Sequence, residues 1–260
     1  MFKQTYEAYG YRMEFRWEEE EHAAAVKGVI LPNWTRVEEP GEVVFTLRRS
    51  EDYIHVEQDG ALKSRVDSLD YLRHNLKVHS HIDLATHAPG LVFVHSGAVL
   101  TEYGLLALPG RSFAGKSTLV KALVKRGAVY FSDEYAVLDK MGQVHPFPRA
   151  LSERMPGGEI RFTPAEELGW SPSQGSSPLE FVVVAHFEEG GSWNPVSLTR
   201  GQAVLKLLEN TVCAQTAPAR ALGYISLALE KTFCVESVRG EVEEAAEQIL
   251  DWMKATATRV

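Results

Sequence analysis

Residues Gly110-Arg111-Ser112-Phe113-Ala114-Gly115-Lys116-Ser117 follow the pattern G-x-x-x-x-G-K-[ST], with Thr118 directly after it. Each fixed position has a physical task. Gly110 and Gly115 allow a turn so tight that successive backbone N–H groups point inward, toward one anion. The positive end of a following helix adds to that attraction. Lys116 brings a mobile cation to the β- and γ-phosphates, and the Ser117 hydroxyl is a hard oxygen donor suited to Mg²⁺. The spacing therefore predicts that Gly110 through Thr118 bind the phosphates of ATP together with Mg²⁺. An ordinary strand-to-helix turn would leave the spaced glycines and the Lys-Ser pair without a reason.

Two further features lie within reach in sequence. Asp133-Glu134 closes a short apolar stretch downstream of this Walker A loop. An acidic residue at such a strand end can hold Mg²⁺, and a second one beside it can take a proton from an attacking hydroxyl. His95 ends the apolar stretch that precedes the strand leading into the loop. A lone histidine is commonly structural, but strand ends beside such a loop face the site in open α/β sheets. There His95 would orient or charge-balance a carboxylate.

The surrounding pattern supplies the elements these residues need. Apolar stretches at 91–94 and 105–108 read as strands, the second running into Pro109-Gly110. Residues 118–126 carry Leu119, Ala122 and Leu123 on one helical face, and Gly127 stops the helix. Residues 129–131 form another strand ending at Ser132-Asp133. Strand, loop, helix, strand is a nucleotide-binding α/β layout. Further along, 181–187 reads as a strand after a polar loop at 171–178, and 202–209, 220–230 and 241–254 as helices. The first third reads as a small β-rich unit, with strands at 43–48 and 53–57 and a helix over 68–85 that Ala88-Pro89-Gly90 breaks. The expected division is 1–88 and 89–260.

The run His95-Ser96-Gly97-Ala98, then Gly104 to Thr118, then Arg126-Gly127 to Ser132-Asp133-Glu134, resembles the HPr kinase/phosphorylase-like P-loop kinases. The likeness spans about 91–210 and weakens after its first third. Pro146-Phe147-Pro148-Arg149-Ala150-Leu151 resembles a segment of the shorter relatives. The resemblance implies an α/β fold with a P-loop core of the HPr kinase/phosphoenolpyruvate carboxykinase type, and an ATP- and Mg²⁺-dependent transfer of a phosphoryl group to a hydroxyl. It implies that Asp133 is the general base and that His95 holds and tunes it. Lys116 would bind the β- and γ-phosphates, Ser117 and Glu134 would hold Mg²⁺, and Arg149 would contact phosphate or substrate. Glu134 stands where the bacterial HPr kinases have a second Asp, and the family's Glu-Ile-Arg-Gly-Leu-Gly type of segment has no counterpart. The implied acceptor is therefore a serine of a peptide, protein or small molecule, as in the short relatives, some of which act in modified-peptide biosynthesis. Such relatives are often oligomeric, so a homo-oligomer is expected too.

Composition narrows the classes. The 260 residues are 45% apolar and 24% charged, as in a globular protein. A net charge of -8 disfavours nucleic acid and anionic membrane as partners. Met1 to Arg12 lacks an apolar core of signal-peptide length, and no apolar run nears the roughly 18 residues that span a bilayer; the expected location is the cytoplasm. Cys213 and Cys234 read as free thiols. His79, His81 and His87 lack the spacing of a metal set and read as helix-surface or packing residues. The run Glu18 to Glu21 reads as a solvated strand end or helix start. A non-catalytic ATP-binding regulatory or assembly module is the rival reading, and it has no use for an acceptor base.

Overall fold

The computed structural model describes residues 1–111, 115–154 and 160–258, and the chain divides into two compact units, Met1–Pro89 and Gly90–Val260. Both mix strands and helices, which makes the protein α/β in the broad sense. Of the loop residues expected to bind phosphate, Ser112, Phe113 and Ala114 lie outside the described residues.

The first unit contains β1 (Phe2–Ala8), β2 (Tyr11–Trp17), α1 (Ala23–Lys27), β3 (Thr35–Val37), β4 (Val43–Ser50), β5 (Tyr53–Gln58), β6 (Ala61–Val66) and α2 (Leu69–His87). Its six strands form one sheet in the order β3-β1-β2-β4-β5-β6, antiparallel except for the parallel pair β2–β4. Period-2 alternation buries Met13, Phe15 and Trp17 of β2 beside Phe45 and Leu47 of β4. Phe15 and Phe45 are register partners and stack with centroids 5.6 Å apart. Ser68 caps α2 by accepting a hydrogen bond from Tyr71 N–H. On α2, His81 is buried with its Nε2 2.9 Å from the Val29 carbonyl oxygen, and His87 Nδ1 lies 3.2 Å from Asp83 Oδ1. The acidic run leaves the end of β2 through a short 3₁₀ turn, where Arg49 pairs with Glu19 and Glu21.

The second unit contains β7 (Leu91–Thr101), β8 (Gly104–Pro109), α3 (Lys116–Lys125), β9 (Val129–Ser132), β10 (Tyr135–Asp139), β11 (Gln143–His145), β12 (Leu151–Arg154), β13 (Ile160–Thr163), β14 (Ser177–Phe187), β15 (Val196–Ser197), α4 (Arg200–Leu208), α5 (Pro218–Ala228), β16 (Phe233–Arg239) and α6 (Val242–Ala257). The main sheet runs β11-β10-β7-β8-β14-β16-β15, with β9 on β7 and an extra pairing of β11 with β14; β12 and β13 make a separate hairpin. Strands β8, β14 and β16 are mutually parallel neighbours.

Both faces of this sheet are covered. Leu106, Leu108, Phe181 and Val183 pack with Leu119 and Leu123 of α3 and Ile249 and Met253 of α6. Leu105, Ala107 and Val182 pack with Val204 and Leu207 of α4 and Ile225 of α5. Successive residues thus go to opposite cores, which explains why these strands read as unbroken apolar runs. Helix α4 opens with a capping box, Thr199 and Gln202 satisfying each other's backbone N–H groups.

Strand β7 is the axis of the acidic side of this sheet. Its residues 98–100 pair with β9 and its residues 91–95 pair with β10, both antiparallel and in the same direction. β9 and β10 are therefore two halves of one strand, interrupted at Asp133-Glu134. Beside the break, Gly97 faces α3, and a Cβ there would stand 2.6 Å from Val120 Cγ2. That missing side chain lets the helix lie close on β7. Gly97→Ala is expected to lower stability by about 1–3 kcal/mol through overpacking, read from urea unfolding midpoints. Adding Val120→Ala should recover much of the loss; an unchanged midpoint in the single variant would contradict this packing.

Candidate functional site

Pro109, the last residue of β8, pairs in register with Ser96 of β7, and Ser96 N–H donates to the Glu134 carbonyl oxygen at 3.0 Å. The loop after β8, His95 and the acidic break are thereby brought to one level of the sheet. Among the described residues expected to act together, Gly110, Arg111, Gly115, Lys116, Ser117 and Thr118 follow β8 directly, and Asp133, Glu134, His95 and Arg149 converge beside them.

Helix α3 begins at Lys116, two residues earlier than the apolar pattern indicates, so Lys116, Ser117 and Thr118 form its first turn. Their N–H groups precede the first helical bond, Leu119 N–H to the Gly115 carbonyl at 3.1 Å. Gly115 has φ 77° and ψ 17°, the left-handed region that favours glycine. Lys116 Nζ donates to the Arg111 carbonyl at 2.9 Å, folding back over the loop. Burial, set against the attraction of Glu134 and Asp133, pulls the pKa of the Lys116 ammonium down to about 8.

The Asp133 side chain is completely buried and densely held. Ser117 Oγ donates to Oδ2 at 2.9 Å. Tyr130 Oη lies 3.0 Å from Oδ1 and accepts from the Asp133 N–H at 3.1 Å. Arg149 Nε lies 2.9 Å from Oδ1 as an ion pair without hydrogen-bond alignment. Arg149 Nη1 pairs with Glu134 Oε2, while Nη2 lies 3.5 Å from Asp133 Oδ2 and donates to Ser152 Oγ at 3.2 Å. One guanidinium thus bridges both carboxylates. Burial acts against the Arg149 charge, but Asp133 and Glu134 outweigh it and hold its pKa above the usual value. Burial, reinforced by the Asp133 charge, drives the pKa of the Tyr130 hydroxyl well up. Ser132 Oγ accepts from the N–H groups of Glu134 and Tyr135, at 3.0 and 2.9 Å, which stabilises the break.

Glu134 and His95 form the more open part. His95 Nε2 is 3.5 Å from Glu134 Oε1, and the two side chains are 25% and 23% exposed for Glu134 and His95 respectively. Burial, followed by the Lys116 charge, lowers the histidine's pKa, so the ring is held toward its neutral form.

The expected site residues take neighbours that the sequence does not specify. His95 holds Glu134 instead of Asp133, because the register of β10 sets Tyr135 opposite His95 and makes Glu134 the nearer acid. Ser117 meets Asp133 instead of Glu134, because Asp133 turns toward the start of α3. Arg149 lies against the two carboxylates and Ser152. Two contributors are absent from the sequence-based set: the Tyr130 hydroxyl, hidden in an apolar strand, and Arg239 at the end of β16. Arg239 is 4% exposed, and a Cβ on Gly115 would overlap its Nη2. The alternation of Val235, Ser237 and Arg239 before Gly240 is the one signal that points to it.

No protein-family model matches the chain, and no curated protein matches it.

The electrostatics can be tested at both cations. Removing Arg149 leaves a buried carboxylate without its cation. Arg149→Met is expected to cost about 3–5 kcal/mol in chemical denaturation, and less in the Asp133→Asn background. Equal losses in both backgrounds would contradict the pairing. With a pKa near 8, Lys116 is about half neutral at pH 8. A bound anion favours its charged form, so phosphate-chain binding there should take up about half a proton and weaken as pH rises further. Calorimetry in buffers of different ionisation heat checks this; Lys116→Met should abolish the uptake.

Proposed function

We propose that this protein is an ATP- and Mg²⁺-dependent kinase with a P-loop core of the HPr kinase/phosphoenolpyruvate carboxykinase type, transferring the γ-phosphoryl group to a serine hydroxyl of a peptide, protein or small molecule. The observation that carries the reading is the convergence of a G-x-x-x-x-G-K-S segment at a helix start with two carboxylates in different environments.

The N–H groups at the start of α3 and the Lys116 ammonium bind phosphate oxygens. Ser117 and Asp133 present two hard oxygens 2.9 Å apart, a donor set that fits Mg²⁺ completed by phosphate and water. When bound there, the ion would neutralise charge on the β- and γ-phosphates. Tyr130 and Arg149 keep Asp133 oriented for that task. Glu134 is the carboxylate an acceptor can reach, with the partly exposed His95 beside it. The acceptor hydroxyl gives its proton to Glu134, its oxygen forms the new bond to the γ-phosphorus, and the β–γ bridging bond breaks to leave ADP. This assigns the base to Glu134 and the metal to Asp133, the reverse of the roles implied by the family resemblance.

The test uses γ-labelled ATP and a panel of serine-bearing acceptors. Glu134→Gln should keep Mg²⁺-dependent ATP binding and lose transfer by about a hundredfold or more. Asp133→Asn should lose the Mg²⁺ dependence of binding itself. Transfer that survives in Glu134→Gln but not in Asp133→Asn would return the base role to Asp133. Binding with no transfer to any acceptor across a broad panel would favour the non-catalytic regulatory module.

A further inference from the structure

On the side of β8 away from the acidic break lie β14 and β16, parallel to it. Register carries the end of β8 across to Val184 of β14, which faces Glu236 of β16. Arg239 stands three residues further on, the last residue of β16 and register partner of Phe187, at the carboxyl end of these parallel strands, where open α/β sheets bind ligands.

Arg239 is 4% exposed, and the carboxylate whose charge acts on it, Glu241, makes no ion pair with it. Nη1 donates to the adjacent Gly240 carbonyl at 3.1 Å, and the guanidinium lies 5.1 Å from the Phe187 ring centroid. Nε is buried with no hydrogen-bond partner, and among the described residues no carboxylate lies within ion-pair distance. Arg149, by contrast, pairs with two carboxylates. Nη2 of Arg239 reaches the backbone of Gly115, at the position where a Cβ would overlap it. With Gly115, Lys116 and Pro109 it lines a small cleft. A buried cation kept without an anion is costly unless a ligand supplies one. A guanidinium fork is the side chain best shaped to share phosphate oxygens.

We infer that Arg239 is a phosphate-binding residue, gripping the phosphate chain of the nucleotide from the side opposite Ser117 and Asp133. The inference rests on the reading of the Gly110–Thr118 segment as the nucleotide loop and adds a second, independent cation to it. Gly115 must then lack a side chain for two reasons, its left-handed backbone and the guanidinium packed against it.

The test is a chain-length series, with ATP, ADP and AMP titrated into wild type, Arg239→Gln, Arg239→Lys and Lys116→Ala. Arg239→Gln should weaken ATP and ADP at least tenfold while AMP shifts less than threefold, with Arg239→Lys intermediate for ATP. Thermal melts of each variant separate folding from binding. If Arg239→Gln binds ATP as wild type does while Lys116→Ala does not, the loop reading stands and the role of Arg239 is overturned. That role is equally overturned, in favour of a purely structural one, if Arg239→Gln loses all three nucleotides along with its thermal transition while Arg239→Lys behaves as wild type toward all three. If wild type binds none of the nucleotides, the loop reading falls and this inference with it.

Discussion

The second unit is organised around one buried charge. The Asp133 carboxylate has no exposed surface, and an ion so placed would lose several kcal/mol of hydration without partners. Its partners come from three separate segments: Ser117 from α3, Tyr130 from β9, and Arg149 from the chain after β11, while the Ser132 hydroxyl holds the turn through the N–H groups of Glu134 and Tyr135. Each holds only if its own element is in place. Arg149 reaches the carboxylate because Phe147 is anchored first. Phe147 is fully buried, donates its N–H to the Phe131 carbonyl at 3.0 Å and packs edge-on against Phe93 and Tyr135. The Pro-Phe-Pro-Arg stretch thus works as an aromatic anchor with a cation two residues beyond it.

The same constraint explains the interrupted strand. A continuous β9–β10 would alternate its side chains regularly between the two cores, and an acid at position 133 would then face apolar neighbours. The break lets Asp133 turn toward α3 while Glu134 turns toward β7. Two adjacent residues of nearly identical chemistry acquire different surroundings: one sealed and fully hydrogen-bonded, the other a quarter exposed beside a histidine. Separated environments are the usual way for neighbouring carboxylates to take separate roles. Here the separation is produced by register alone.

Legibility in the sequence follows the range of each signal. The strand before the loop motif, the helix after it and the three later helices are local patterns, and the structure has elements at each of those places. The division of the chain is readable from Ala88-Pro89-Gly90, one residue from the observed boundary. Strands β1 and β2 escape a reading by apolar runs, because polar and charged residues interrupt FKQTYEA and alternate with apolar ones in YRMEFRW. Which acid His95 meets is not written in any local pattern. It depends on Tyr135 pairing with His95, and a shift of one residue would bring a different neighbour. Tyr130 passes for apolar filling because nothing in VYFS marks a hydroxyl that must find a partner. Arg239 is hidden together with β16, whose alternation is short and three of whose residues, Glu236, Ser237 and Arg239, are polar.

The cations of the site differ in what answers them, and this difference decides what each can do. Arg149 bridges two carboxylates, and its charge is answered by both of them. Among the described residues Lys116 donates to a backbone carbonyl, and burial loosens its proton against the pull of Glu134 and Asp133, so an anion placed there would favour its charged form. Arg239 is buried with a single backbone acceptor and an aromatic face. In a chain carrying a net charge of -8, two cations left short of carboxylates beside one helix start form a local field opposite to that of the whole molecule. Under the proposed function, such a field would draw the phosphate chain of the nucleotide to one place on an otherwise acidic molecule.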